Sequence, residues 1–133
     1  MIGIINYGLG NIHSFINSFK VLGIPAISIN NRDELKRIDR IILPGVGSFD
    51  SAIRKFNNSG LRDDIEDLIF NKNLPIMGVC IGMQIMANSS SEGNLNGLGW
   101  IDGTIEKIPN MNLKMPHMGW NSIRVLNKNL KIN

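Results

Sequence analysis

Cysteine occurs once in these 133 residues, at Cys80, which excludes an internal disulfide and suits a reducing compartment. Long apolar runs are missing and no charged, cleavable leader opens the chain, so neither membrane insertion nor export is expected, and a cytoplasmic location is. Charge of either sign is sparse in runs. The 14 basic and 11 acidic residues give +3 without the basic cluster that a nucleic-acid or membrane-surface patch requires. One cysteine and two scattered histidines, His13 and His117, offer no metal-ligand spacing, and no cofactor is expected. Two nucleotide-binding signatures begin and fail. Gly8-x-Gly10 runs into Asn11-Ile12-His13 where a dinucleotide fingerprint needs a third glycine, and Gly45-Val46-Gly47 lacks the Lys-Ser/Thr pair of a P-loop. Internal repeats, low-complexity tracts and interdomain linkers are absent, so residues 1–133 are read as a single domain long enough to bury an ordinary core.

What is present alternates. Met1 to Asn6 is a nearly continuous apolar run, as in a strand buried on both faces of a parallel sheet. After Tyr7-Gly8-Leu9-Gly10, the residues Ile12, Phe15, Ile16, Phe19 and Leu22 follow the spacing of an amphipathic helix, with Asn11 as N-cap and Gly23 at its C-terminal end. A short strand over Ile24 to Ile29 and another over Arg40 to Leu43 come next. Pro44-Gly45-Val46-Gly47 then leads into helical segments Phe49 to Phe56 and Leu61 to Phe70, separated by a turn at Asn57-Asn58-Ser59-Gly60. This order predicts βαβ units and an α/β, doubly wound, mostly parallel sheet with a flavodoxin-like core, ligands gathering at the carboxyl ends of the strands. Ser89 to Gly93 and Gly97 to Gly99 read as loop. Trp100 to Ile108 and Ser122 to Leu126 read as strands, for which an antiparallel extension or edge hairpin is expected.

The chemistry concentrates on Pro75-Ile76-Met77-Gly78-Val79-Cys80-Ile81-Gly82-Met83-Gln84. An apolar stretch stops at Gly-x-Cys-x-Gly and resumes with helical spacing, the pattern of a nucleophile elbow. At such a turn the nucleophile's backbone is strained and the residues two before and two after are pressed together, so Gly78 and Gly82 remove Cβ atoms that would collide. Free N–H groups of the following helix would favour a thiolate. A free cysteine is also an ordinary small buried hydrophobe, but the flanking glycines and the strand-to-helix setting favour the nucleophile. An oxyanion hole then needs one N–H from the residue after the nucleophile, Ile81, and a second from a neighbouring loop, for which Val46 is the candidate. Nothing in the sequence places either histidine on the elbow edge, and His117 reads as a structural or interface residue rather than a base.

Taken together, Asn6-Tyr7-Gly8-Leu9-Gly10-Asn11, Leu43-Pro44-Gly45-Val46-Gly47-Ser48-Phe49, Gly78 to Gln84, Glu92-Gly93 with Gly97-Leu98-Gly99, and Pro116-His117-Met118-Gly119-Trp120-Asn121 closely resemble one family. It is that of the glutaminase subunits of imidazole glycerol phosphate synthase, within the class I (triad) glutamine amidotransferases. The resemblance runs almost end to end. It implies hydrolysis of L-glutamine and channelling of ammonia to a (β/α)8-barrel cyclase partner in histidine biosynthesis, in a heterodimer without nucleic acid or membrane. It also implies that Cys80 forms a γ-glutamyl thioester, that Val46 and Ile81 hold the oxyanion, and that Gly47, Gln84 and Glu92 bind glutamine. Glu92 suits an α-ammonium group by charge, although a solvated loop acid looks the same. Asn11, Trp120 and Asn121 match positions facing the synthase partner; for Trp120, an exposed anchor and a core residue are equally compatible with the sequence.

One departure accompanies the match. The family's catalytic His and Glu come from a His-x-Glu segment beyond the last residue here, after a His-Ser-Tyr strand. The expectation is therefore a C-terminally incomplete domain, weakly active or inactive alone, with a sheet edge and apolar surface exposed. Two other readings stay open: a shortened non-catalytic cyclase-binding paralogue, and an amidotransferase subunit for bacterial surface-sugar modification.

Overall fold

The computed structural model describes residues 1–109, 119–122 and 124. Four parallel strands form the main sheet in the order β2-β1-β3-β4, with β1 at Ile2–Ile5, β2 at Ala26–Ile29, β3 at Arg40–Leu43 and β4 at Ile76–Gly78. This is the flavodoxin-like order, and the switch in chain direction falls between β1 and β3. Side chains alternate across it. Ile2, Ile4 and Ile42 face one layer with Ile12, while Ile5, Ile29, Ile41 and Leu43 face the other.

Helix α1 (Ile12–Val21) covers the first face through Ile12, Phe15, Ile16 and Phe19. Both of its ends are as the sequence predicts. Asn11 caps it, its Oδ1 accepting from the Ser14 N–H at 3.1 Å. Beyond Leu22, Gly23 takes φ +69°, so its N–H reaches Lys20 O at 3.1 Å and the Ile24 N–H reaches Phe19 O at 2.9 Å, satisfying two terminal carbonyls.

The second face carries α3 (Phe49–Asn58), α4 (Arg62–Glu66) and a short helix the sequence reading missed, α2 (Arg32–Leu35). One turn with a single buried apolar residue, Leu35, has no periodicity to detect; the Asn31 cap on the Asp33 and Glu34 N–H groups was its available signal. The segment expected to be helical from Leu61 to Phe70 is helical, but its last turn, Asp67–Asn71, widens to π geometry, closed by Lys72 N–H to Asp67 O at 3.2 Å. Phe56 is fully buried at the centre of this layer, edge-on to Tyr7 (5.5 Å between ring centres) and to Trp100 (5.6 Å).

The pairing that forms among the described residues after Asn88 is parallel; the expected antiparallel extension, which needs Ser122 to Leu126, lies largely outside them. Ser89–Ser90 (β5), read as loop, pairs with Thr104–Ile105 (β6) in parallel. The cause is the excursion between them. Leu95, Leu98 and Trp100 must reach the core, and Trp100 is held there by its indole N–H donating to Glu66 Oε1 at 2.9 Å. The chain therefore travels out and back before pairing, and re-enters in its original direction. The strand expected from Trp100 to Ile108 shrinks to its central two residues for the same reason. The strand expected at Ser122 to Leu126 lies largely outside the described residues. Among those described, no helix is long and apolar enough to cross a membrane. β4 forms one edge of the sheet, with Met77 exposed.

Candidate active site

The turns after β1, β3 and β4 lie together at the carboxyl edge of the sheet, because all three strands run in parallel. Cys80 stands at the last of these, between β4 and the one-turn helix α5 (Ile81–Gln84). Its backbone is at φ 55°, ψ −121°, a region that L-residues avoid at a cost of about 1–3 kcal/mol, and its side chain is exposed. Strain and exposure at one residue are what the elbow pattern predicts.

The flanking glycines leave no room for side chains, as expected: a Cβ on Gly78 would overlap the Met83 backbone, and a Cβ on Gly82 would overlap the Leu43 carbonyl. The bare backbone at position 82 lets α5 sit directly on the end of β3. Gly45 meets the same junction from the other side, where an added Cβ would lie 2.5 Å from Gly82 N and 2.8 Å from Tyr7 Oη. The turn after β3 is thus packed against the first residues of α5 at Pro44 and Gly45. Neither the Ile81 nor the Val46 N–H donates to another described backbone group, so both remain available at the junction.

Helix α5 stops after one turn because its next carbonyls are taken. Ile85 O accepts from Leu98 N–H at 2.8 Å, Met86 O from Ile101 N–H at 2.9 Å and Ala87 O from Gly99 N–H at 3.2 Å. Four residues add little macrodipole; what the turn supplies to Cys80 is local N–H groups.

The other predicted positions are distributed as follows. Gln84 lies one turn beyond Cys80, its N–H on Cys80 O at 3.1 Å, and its buried Oε1 has no partner among the described residues. Gly47 adopts φ +94° with open space around it, and Val46 beside it is half exposed. Glu92 is exposed on a loop held to α3 by Asp50, whose Oδ1 accepts from the N–H groups of Asn94 (3.0 Å) and Leu95 (3.1 Å). Asn11 is exposed while capping α1, and Trp120 and Asn121 are exposed. His13 is exposed on α1, across the sheet from α5, and is not brought to Cys80. His117 lies outside the described residues.

Tyr7 was missed as a site residue. It is buried at the end of β1, donates to Pro44 O at 2.7 Å, and its phenol is pushed up to about 12, first by burial and then by the negative charge of nearby Cys80. The one available signal was its place immediately after the first strand, at the ligand edge. Among the described residues no group of His, Cys, Asp or Glu is assembled for a metal ion. A 170 Å³ cleft lined by Arg32, Lys36, Lys72, Asp64 and Asp67 lies away from Cys80. Its charges are mutually engaged, Arg32 with Asp64 at 3.0 Å and Lys72 with Asp67 at 2.9 Å.

A strained, exposed cysteine at a strand-to-helix turn of a doubly wound sheet has the geometry of a nucleophile elbow. Residues 3–131 match the family described as glutamine amidotransferase class-I, and the chain belongs to that family. A crystal structure of a glutamine amidotransferase superposes with a TM-score of 0.66 at 20% identity, covering 79% of this chain and 55% of that one, which shows the shared fold.

More particular relatives carry the name imidazole glycerol phosphate synthase subunit HisH. The chain is 46% identical to that of Bdellovibrio bacteriovorus over 93% of its own length and 63% of the relative's. It is 47% identical to that of Leptospira borgpetersenii, covering 97% and 65%, and 41% identical to a HisH 2 of Methanococcus maripaludis, covering 97% and 64%. It thus spans just under two thirds of the length of these relatives.

Proposed function

We propose that the chain belongs to the glutamine-hydrolysing subunit of an imidazole glycerol phosphate synthase, supplying ammonia to a (β/α)8-barrel cyclase partner for histidine biosynthesis. The observation that carries this reading is Cys80 at φ 55°, exposed between β4 and α5 and flanked by the Pro44–Gly47 turn. Identity of 40% and more to HisH subunits narrows the acceptor pathway.

In the proposed reaction Cys80 Sγ attacks the side-chain amide carbon of glutamine. The N–H groups of Val46 and Ile81 receive the negative oxygen of the tetrahedral intermediate, where charge develops. The C–N bond then breaks, the nitrogen takes a proton and leaves as ammonia, and a γ-glutamyl thioester remains. Water adds to the thioester, releasing glutamate and returning the thiol. Gly47, Gln84 and Glu92 bind the substrate, the unpartnered Gln84 Oε1 as acceptor and Glu92 through the α-ammonium group. Asn11, Trp120 and Asn121 face the cyclase, Trp120 as an exposed aromatic anchor.

Proton transfer in both halves needs a general acid and base. Within these 133 residues neither histidine begins a His-x-Glu segment, His13 being followed by Ser14-Phe15 and His117 by Met118-Gly119. These residues on their own should therefore turn glutamine over several orders of magnitude more slowly than an enzyme with a complete triad.

Replacing Cys80 by Ala in the complete gene product tests the reading. Glutamine-dependent synthesis with the cyclase should vanish while synthesis from added ammonia survives. Persistence of glutamine hydrolysis would remove the elbow from the mechanism.

A further inference from the structure

We infer that Tyr7 is a positioning residue for glutamine hydrolysis, an assignment resting on the glutaminase reading above: its phenol fixes the peptide plane from which the oxyanion-binding turn departs. The hydroxyl donates to the carbonyl of Pro44 at 2.7 Å in a buried setting, and no described backbone N–H donates to that carbonyl. The next residue, Gly45, has Tyr7 Oη on one side and the backbone of α5 on the other, and neither leaves room for a side chain. Tyr7 cannot retreat, because it is 6% exposed and its ring is packed edge-on against the fully buried Phe56.

Beyond this clamp the constraint ends abruptly. Val46 is 52% exposed, and Gly47, at φ +94°, has open space around it. The turn is thus fixed at Pro44–Gly45 and free at Val46–Gly47. The N–H assigned to the oxyanion, that of Val46, is one peptide beyond the clamped plane, so its direction relative to Cys80 depends on how firmly Pro44 O is held. Burial raises the phenol's ionisation further above the neutral range, so the hydroxyl stays protonated, hence a donor, there. The hydroxyl touches neither substrate nor sulfur in this scheme; it acts through the loop.

The test uses the complete gene product with its cyclase partner. Tyr7→Phe should lower kcat for glutamine about tenfold, with KM and the rate of Cys80 alkylation by iodoacetamide each within twofold of the parent. Alkylation needs the thiol but no oxyanion hole, so it separates loop placement from damage to the nucleophile. Placing 3,5-difluorotyrosine at position 7 keeps the ring and the donor, and should restore turnover to within twofold. Because that phenol ionises at lower pH, the alkaline loss of turnover should also begin at lower pH than in the parent. This second protein decides the matter if the Phe variant does not fold. An unchanged kcat in folded Tyr7→Phe, a parallel fall in alkylation, or an unshifted alkaline limb overturns the assignment. If Cys80→Ala abolishes hydrolysis while Tyr7→Phe leaves it intact, only the Tyr7 inference fails; if Cys80→Ala retains hydrolysis, the glutaminase reading itself fails.

Discussion

Substituting Gly45 by Ala places one methyl group at the junction of turn, phenol and elbow. The new Cβ would lie 2.5 Å from Gly82 N, 2.8 Å from Tyr7 Oη and 3.1 Å from Ile81 C. Unstrained non-bonded contact begins at about 3.5 Å, so about 1 Å of separation must be created between β3's end and α5. Little can yield. Two of the three neighbours are backbone, and the third belongs to a buried ring packed on Phe56. Overpacking of this kind costs about 1–3 kcal/mol, which for a domain of this size lowers Tm by about 4 °C per kcal/mol. The same displacement moves the Val46 N–H relative to Cys80, and a misplacement of about 1 Å is worth about a hundredfold in turnover. Thermal unfolding reports the first effect and glutamine-dependent ammonia release the second. Gly103→Ala is the matched control, since an added Cβ there meets nothing within 4 Å. A Gly45→Ala protein with the control's Tm and unimpaired turnover would refute the close packing on which the junction depends.

Three further outcomes follow from the same geometry. Tyr7 ionises near 12 in the folded state against an ordinary 10, so its neutral form is favoured by folding. Its contribution, about 2–3 kcal/mol, is complete below pH 10 and is lost as pH rises towards 12; urea unfolding across that window should show a decline that Tyr7→Phe lacks, while equal slopes would contradict the shift. Asp50→Ala removes the acceptor for the Asn94 and Leu95 N–H groups and should raise the KM for glutamine several-fold with little change in kcat, because it loosens the loop of Glu92 and not the nucleophile; a selective kcat loss would argue against that division. Phe56→Ala empties the space between Tyr7 and Trp100 and should cost about 3–5 kcal/mol, measured by denaturant unfolding followed through tryptophan fluorescence; a loss below 1 kcal/mol would mean that the layer collapses to fill the void.

Local pattern alone sets the alternation of strands and helices, the limits of β3, both ends of α1, and the tight strand-to-helix turn at Cys80. Each is encoded locally, in apolar periodicity, a capping Asn11 and Gly23, or a Gly-x-Cys-x-Gly spacing, and these patterns survive without knowledge of what packs where. The three glycine-marked turns could even be assigned to one edge, since parallel strands align their carboxyl ends. The remaining features depend on partners distant in the chain. Residues 97–101 cap the carbonyls after α5 and cut that helix to one turn, and the inward pull on Leu98 and Trp100 makes β6 parallel to β5. Likewise Tyr7 became part of the site only when β3 brought the Pro44 carbonyl within 2.7 Å of its hydroxyl, a contact across 37 positions of sequence that no local pattern records.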